Sequence, residues 1–242
     1  MTLFQKILLF SLIPVITMIA GGIIAVIKKP NGNIRSLILH FAAGVVFSVV
    51  AVELLPDIVK NHKPLQVIIG FSLGLIAMLA IKRLSEKKEE TEVVDYKGKV
   101  PVSLLVAIGV DIFIDGLLLG IGFAAGSTEG ILLAIALSIE LLSLGMATAT
   151  ELGNNLISKK KSVFIIVKLA AVFFISAVLG ATLLHNLSHN AMEIVLSFGL
   201  SALLFLVTEE LLTEAHEEKE TAWHTSAFFV GFLLFLIFGM IL

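Results

Sequence analysis

The 242-residue chain has no cysteine, which excludes disulfide frameworks, thiolate zinc sites, iron–sulfur clusters and cysteine nucleophiles. Charge is scarce as well: 15% of residues are charged, against about 25% in a soluble domain. The formal net charge of −2 leaves no basic excess for nucleic acid. A single Trp and a single Tyr make little of an aromatic belt. What the chain has instead is apolar surface, with 58% hydrophobic residues and a mean hydropathy of +1.06. No soluble fold of this length buries that much, so the bilayer must serve as the solvent. The composition is that of an all-α integral membrane protein.

About 20 mostly apolar residues carry a helix across the hydrocarbon core. Eight such stretches are readable, at about residues 5–27, 36–58, 65–83, 101–125, 129–155, 163–185, 191–215 and 222–242; they are numbered spans 1 to 8 below. Membrane strands are not expected, because the apolar runs are continuous and do not alternate. The first run is too long for the core of a signal peptide, follows only Lys6, and precedes further spans, so a retained helix is expected. One transmembrane domain, residues 1–242, follows.

Basic residues set the orientation. One set of loops and helix ends holds Lys28, Lys29, Arg35, Lys82, Arg83, Lys87, Lys88, Lys97, Lys99, Lys159–Lys161, Lys168 and Lys219; of the 17 Lys and Arg, only Lys6, Lys60 and Lys63 lie opposite. The first set marks the cytoplasmic side of a cell membrane, with both termini outside and residues 84–99 forming a solvated cytoplasmic loop of mixed charge. An internal similarity follows. Span 2 ends Glu53-Leu54-Leu55-Pro56-Asp57 and span 7 ends Glu210-Leu211-Leu212-Thr213-Glu214; span 3 carries Gly70-Phe71 and span 8 Gly231-Phe232, each before an apolar run. Span 2 runs outward and span 7 inward. Residues 5–83 and 163–242 therefore read as inverted repeats, a common basis for alternating access.

Ionisable groups at bilayer depth are costly and mark function. Asp111 is ten residues into span 4, about 15 Å deep at 1.5 Å per residue. Asp115 follows four residues later on the same face, and Glu140 reaches the same depth in span 5. Hydrogen-bonded packing explains one carboxyl well and three at one level poorly. Their mutual repulsion is relieved by a divalent cation, which oxygen ligands bind directly. Glu53 near the outer end and Glu210 near the inner end suit an entrance and an exit. Glu151 shares the Glu140 face nearer the cytoplasm, as a relay or a solvated helix end. His40 is a candidate ligand or a packing residue. His185 and His189 have i,i+4 spacing, yet Asn186 stands where a zinc protease needs its glutamate, which argues against an enzyme. Glu214, His216, Glu217, Glu218, Glu220 and His224 make an acidic, His-containing loop that an exiting cation could meet.

These residues together resemble the ZIP (Zrt-, Irt-like protein) family of divalent metal transporters along nearly the whole chain. His40-Phe41-Ala42-Ala43-Gly44 through Glu53-Leu54-Leu55-Pro56 looks like the family's second helix, and Glu209-Glu210-Leu211-Leu212-Thr213-Glu214-Ala215 its Glu-Leu-x-Pro-Glu-Ala, with Thr213 for proline. The resemblance implies eight helices in a 3+2+3 arrangement, with metal held by the helix pair at about 101–155. Asp111-Ile112-Phe113-Ile114-Asp115-Gly116 matches the family's His-Asn-x-Pro-Glu/Asp-Gly, and Glu140-Leu141-Leu142-Ser143-Leu144-Gly145 its His/Gln-x-x-Pro-Glu-Gly. Asp111, Asp115 and Glu140 thus keep ligand positions. Ile112, Leu141 and Leu144 have lost theirs, both prolines are absent, and Ala177 replaces a sixth-helix Glu. An oxygen-only, single-ion site follows, shifted from zinc towards Mn²⁺, Fe²⁺, Mg²⁺ or Ca²⁺, with zinc still admissible. The expected partners are membrane lipid, the metal ion as substrate and a second copy of the chain, with no nucleotide. Two other functions stay open: a proton-coupled carrier of another solute, and a non-transporting metal sensor on the same fold.

Overall fold

A computed structural model describes residues 3–91, 100, 102–184, 187–216, 218–219 and 221–241, with side chains at most of them. Among these residues every regular element is a helix and no strand occurs. Eight helices are long and apolar enough to cross a membrane: Phe4–Ile27, Gly32–Lys60, Pro64–Arg83, Leu105–Ala125, Ser127–Asn154, Lys159–Leu183, His189–Ala215 and Ala222–Ile241. They match spans 1 to 8 and keep those numbers. The chain is a multi-pass, all-helical membrane protein. Large apolar side chains such as Ile16, Ile68, Ile76 and Phe229 stand more than 60% exposed, as a lipid-facing surface requires and a soluble one does not.

The helices pack as four pairs, 1 with 5, 2 with 8, 3 with 7 and 4 with 6. Glycine sets each contact, because lipid supplies no hydrophobic drive between helices and close backbone approach must replace it. A Cβ on Gly21 would strike the Leu142 carbonyl, and one on Gly145 the Met18 carbonyl. Gly44 meets the Phe228 carbonyl as Gly231 meets that of Phe41; Gly74 would come within 2.7 Å of the Phe198 carbonyl, and Gly120 within 2.7 Å of the Ala181 nitrogen. Polar contacts give direction. Lys6 donates to Ser127 at 2.8 Å where spans 1 and 5 begin, and Lys29 to Asn154 at 3.1 Å where they end. These two helices are parallel. Arg35 at the start of span 2 pairs with Glu214 at the end of span 7, and Asn61 after span 2 donates to Glu193 early in span 7 at 2.8 Å. Those two are antiparallel.

Spans 2 and 7 each change pitch. Val50–Leu54 and Leu206–Leu211 are π-helical, with Leu55 N–H reaching Val50 O and Leu212 N–H reaching Val207 O, five residues back in each. In span 2 the cause is Pro56, which has no N–H to give and whose ring crowds the carbonyl four residues earlier. Span 7 has no proline there. Instead the Thr213 hydroxyl donates to Thr208 O at 3.3 Å, bridging the widened turn from its side chain. Each π turn packs against the other helix's α-helical part. Spans 4 and 5, with no proline inside them, run as uninterrupted α-helices over Val102–Ala125 and Ser127–Asn154.

Candidate functional site

The π turn of span 7 carries Glu209 and Glu210, and π turns of this kind recur at functional sites because they re-aim side chains without ending the helix. Glu210, half-buried, hydrogen-bonds the carboxyl of Asp111 on span 4. One helical turn on, Asp115 is 1% exposed and interacts electrostatically with both Glu140 and Asp111. Glu140, 4% exposed on span 5, feels Asp111 and Glu210 in turn. Four acidic side chains from three spans therefore share one region of the bundle. Asp115 Oδ2 and Glu140 Oε2 are buried without a hydrogen-bond partner, as is the hydroxyl of Ser143, one turn beyond Glu140. Buried polar oxygens are nearly always satisfied, so these three leave hydrogen-bonding capacity unused inside the bundle.

The expectation for Glu210 changes here. Sequence places it at the inner mouth by itself; the structure puts it against Asp111 as a fourth member of the group. No three His, Asp or Glu side chains among the described residues are disposed to hold one metal ion. The closed trio expected of Asp111, Asp115 and Glu140 is thus replaced by linked carboxyls, with Asp111 engaged by Glu210. Ile112, Leu141 and Ala177 are fully buried and apolar, and the Ala177 nitrogen lies 2.9 Å from where a Gly116 Cβ would stand. Span 6 closes on span 4 at this level through Ser176 and Ala177, and its helix carries no His, Asp or Glu.

The remaining sequence candidates lie elsewhere. Glu53, in the π turn of span 2, interacts with Glu129, Asp57 and Lys60, and its Oε1 lies 2.6 Å from a would-be Gly239 Cβ. Glu151 is exposed and accepts from the side-chain amides of Asn154 and Asn155 at 3.3 and 3.0 Å; this caps its own helix end, some way from Glu140. Of its two readings, this placement matches the solvated helix end. Glu214 is paired with Arg35. His189 is exposed at the first residue of span 7, while His185, Glu217, Glu220 and residues 92–99 lie outside the described residues; residues 84–91, expected in a loop, continue the helix Pro64–Thr91.

His40 is 3% exposed, with Nδ1 2.8 Å from Ser36 O. Its ring stacks on His224 at 5.6 Å and meets His216 edge-on at 5.2 Å. The pairing with His224 joins residues that sequence had assigned to a helix and a loop. Glu193 was missed altogether: it is 1% exposed, accepts from Asn61, and leaves Oε1 without a partner. Its signal was present, as an acid only a few residues inside an apolar run. Glu129, beside Glu53, was passed over as the start of span 5. Lys82 of span 3 bridges Glu209 at 2.6 Å and acts electrostatically on Glu210, which puts a cation next to the acidic group on the lysine-bearing side. In comparison with known proteins, no family model matches the chain, and no curated protein matches it in sequence.

Proposed function

We propose that the chain is a secondary transporter of the ZIP type, carrying a divalent metal cation through the bundle into the cytoplasm without a nucleotide. One observation carries this: Asp111, Asp115, Glu140 and Glu210 interact with one another inside an apolar helical bundle, with buried oxygens on two of them unpartnered. Carboxyls so placed repel unless protons or a cation intervene. A hard or borderline divalent ion accepts oxygen ligands at about 2.0–2.6 Å and replaces the protons.

The 3+2+3 inverted repeat is supported by the packing. Exchanging span 1 with 6, 2 with 7, 3 with 8 and 4 with 5 turns the 1–5 pair into 6–4 and the 2–8 pair into 7–3, which are the pairs present. The π turns of spans 2 and 7 also exchange. Two halves of opposite sense give a carrier two mouths, with Glu53 and Glu129 at one and Glu214, His40 and His216 at the other. The side holding Lys29, Arg35, Lys82 and Lys159–Lys161 is the cytoplasmic one.

Isotope uptake into proteoliposomes tests this directly. Mn²⁺ or Zn²⁺ flux is expected in the wild type and lost in Asp111→Ala and Glu140→Ala; undiminished flux in both removes the proposed site. The hydrogen bond between Asp111 and Glu210 favours a second use of the same groups, as proton carriers for another solute. Steep pH dependence with no metal binding by calorimetry would select it, and saturable binding without flux would select a sensor.

A further inference from the structure

Spans 1, 5 and 6 leave a cavity of about 490 Å³ between their lysine-bearing ends. Lys29 and Lys159 line it, with Thr150, Gly153 and Asn154 of span 5 and Leu156 of the following turn. It shares no residue with the carboxyl group. Neither lysine meets a carboxylate among the described residues: Lys29 Nζ donates to the neutral amide oxygen of Asn154 at 3.1 Å. Glu151, the nearest acid along the chain, is already occupied by Asn154 and Asn155. The Thr150 hydroxyl is buried with no hydrogen-bond partner. Gly153 fronts open space, since a Cβ there meets nothing within 4 Å.

Two ammonium groups and a spare hydroxyl around a hollow of this size suit an anion with several oxygens. The rim suits something else. Val26, Leu156 and Ile157 line it with apolar side chains; Leu156 is 69% exposed and holds φ at 60°, a left-handed backbone that leucine rarely adopts. Two backbone bonds hold the turn, Leu156 N–H to Gly153 O and Ile157 N–H to Leu152 O, both 3.0 Å. A free oxyanion has no use for an apolar rim; an acyl chain does. We infer that this cavity binds a phosphate-bearing anion, namely the headgroup of an acidic phospholipid whose chains lie along Val26 and Leu156. Basic pockets between transmembrane helices recognise such headgroups. The inference is independent of the cation reading, and its readout is ligand retention, not flux.

Full-length protein in detergent, titrated separately with phosphatidylglycerol, phosphatidylcholine and inorganic phosphate and read by native mass spectrometry, tests it. Phosphatidylglycerol should be retained at concentrations where phosphatidylcholine is not. Lys29→Gln with Lys159→Gln should weaken it about thirty-fold, about 2 kcal/mol. Gly153→Leu, which adds bulk at a lining position where a Cβ meets nothing within 4 Å, should weaken it comparably, whereas Lys63→Gln at the opposite end should change nothing. Inorganic phosphate binding that depends on both lysines, with no preference between the two lipids, overturns the lipid assignment in favour of a free anion. Equal phosphatidylglycerol retention by the wild type and the double lysine variant overturns the site. Should Gly153→Leu fail to fold, the lysine variant decides alone.

Discussion

Glu210 of span 7 and Asp111 of span 4 hydrogen-bond each other through their carboxyl groups. Two carboxyls do so only with a proton between them, since an ionised carboxylate is acceptor-only. A cation that takes these oxygens must displace that proton. Mn²⁺ binding to the purified protein is therefore expected to release about one proton per ion from this pair, measured by calorimetry in buffers of differing ionisation enthalpy. Glu210→Gln keeps a hydrogen bond but supplies no exchangeable carboxyl proton. It should abolish this release and lower uptake at least about tenfold, about 1.4 kcal/mol. Unchanged proton release in Glu210→Gln would contradict the argument.

Metal preference follows from the donor atoms. In the proposed site the donors are carboxyl oxygens, since Ile112 and Leu141 on the same helices are buried and apolar. Mn²⁺ and Zn²⁺ should compete for uptake within about tenfold of each other, because the imidazole that favours zinc is missing. Competition of unlabelled Mn²⁺, Mg²⁺ and Ca²⁺ against labelled Zn²⁺ checks this; a preference for Zn²⁺ by several orders of magnitude would imply ligands not identified above.

The glycine seams predict two opposite substitutions. Gly145 abuts the Met18 carbonyl, so Gly145→Leu forces spans 1 and 5 apart and should destabilise by about 1–3 kcal/mol or more. The nearest atom to a Gly109 Cβ is Leu169 Cδ2 at 3.6 Å, an ordinary contact. Gly109→Ala should thus be neutral or stabilise by up to about 1 kcal/mol. Thermal unfolding in detergent, followed by the fluorescence of Trp223, compares the two.

The Arg35–Glu214 ion pair joins the opposed ends of spans 2 and 7, with side chains 29% and 31% exposed. Partial exposure limits its net worth to about 1 kcal/mol. A double-mutant cycle of Arg35→Glu and Glu214→Arg should recover roughly that coupling, each single change costing more than the exchanged pair because it leaves like charges together. Additivity within about 0.3 kcal/mol would show that the pair contributes nothing.

Legibility in the sequence differed between fold and site. All eight spans were readable to within a few residues, and Asp111, Asp115 and Glu140 stood out as carboxyls in apolar runs. Each signal is local: a run of apolar residues, or an acid inside one. Helical spacing from Glu140 left Glu151 open between a relay and a solvated helix end, because spacing says nothing of Asn154 and Asn155, which engage it there. The irregular turn of span 7 could not be read from the sequence, because no proline marks it; the Thr213 hydroxyl reaches Thr208 O across it instead. Glu193 carried the same signal, an acid inside an apolar run, but lies so near the helix start that its burial and its contact with Asn61 show only in the fold.

By itself the sequence determined that this is a membrane protein of eight helices, and which loops are basic. Span length, hydropathy and the placement of charge are summed along the chain and need no knowledge of neighbours. Only the tertiary structure decided that Glu210 faces Asp111, that His40 stacks on His224, and that Lys29 and Lys159 flank one cavity. These groups lie on helices far apart in sequence. Backbone contact at glycines such as Gly21, Gly44 and Gly120 sets how near the helices approach and which side chains then meet.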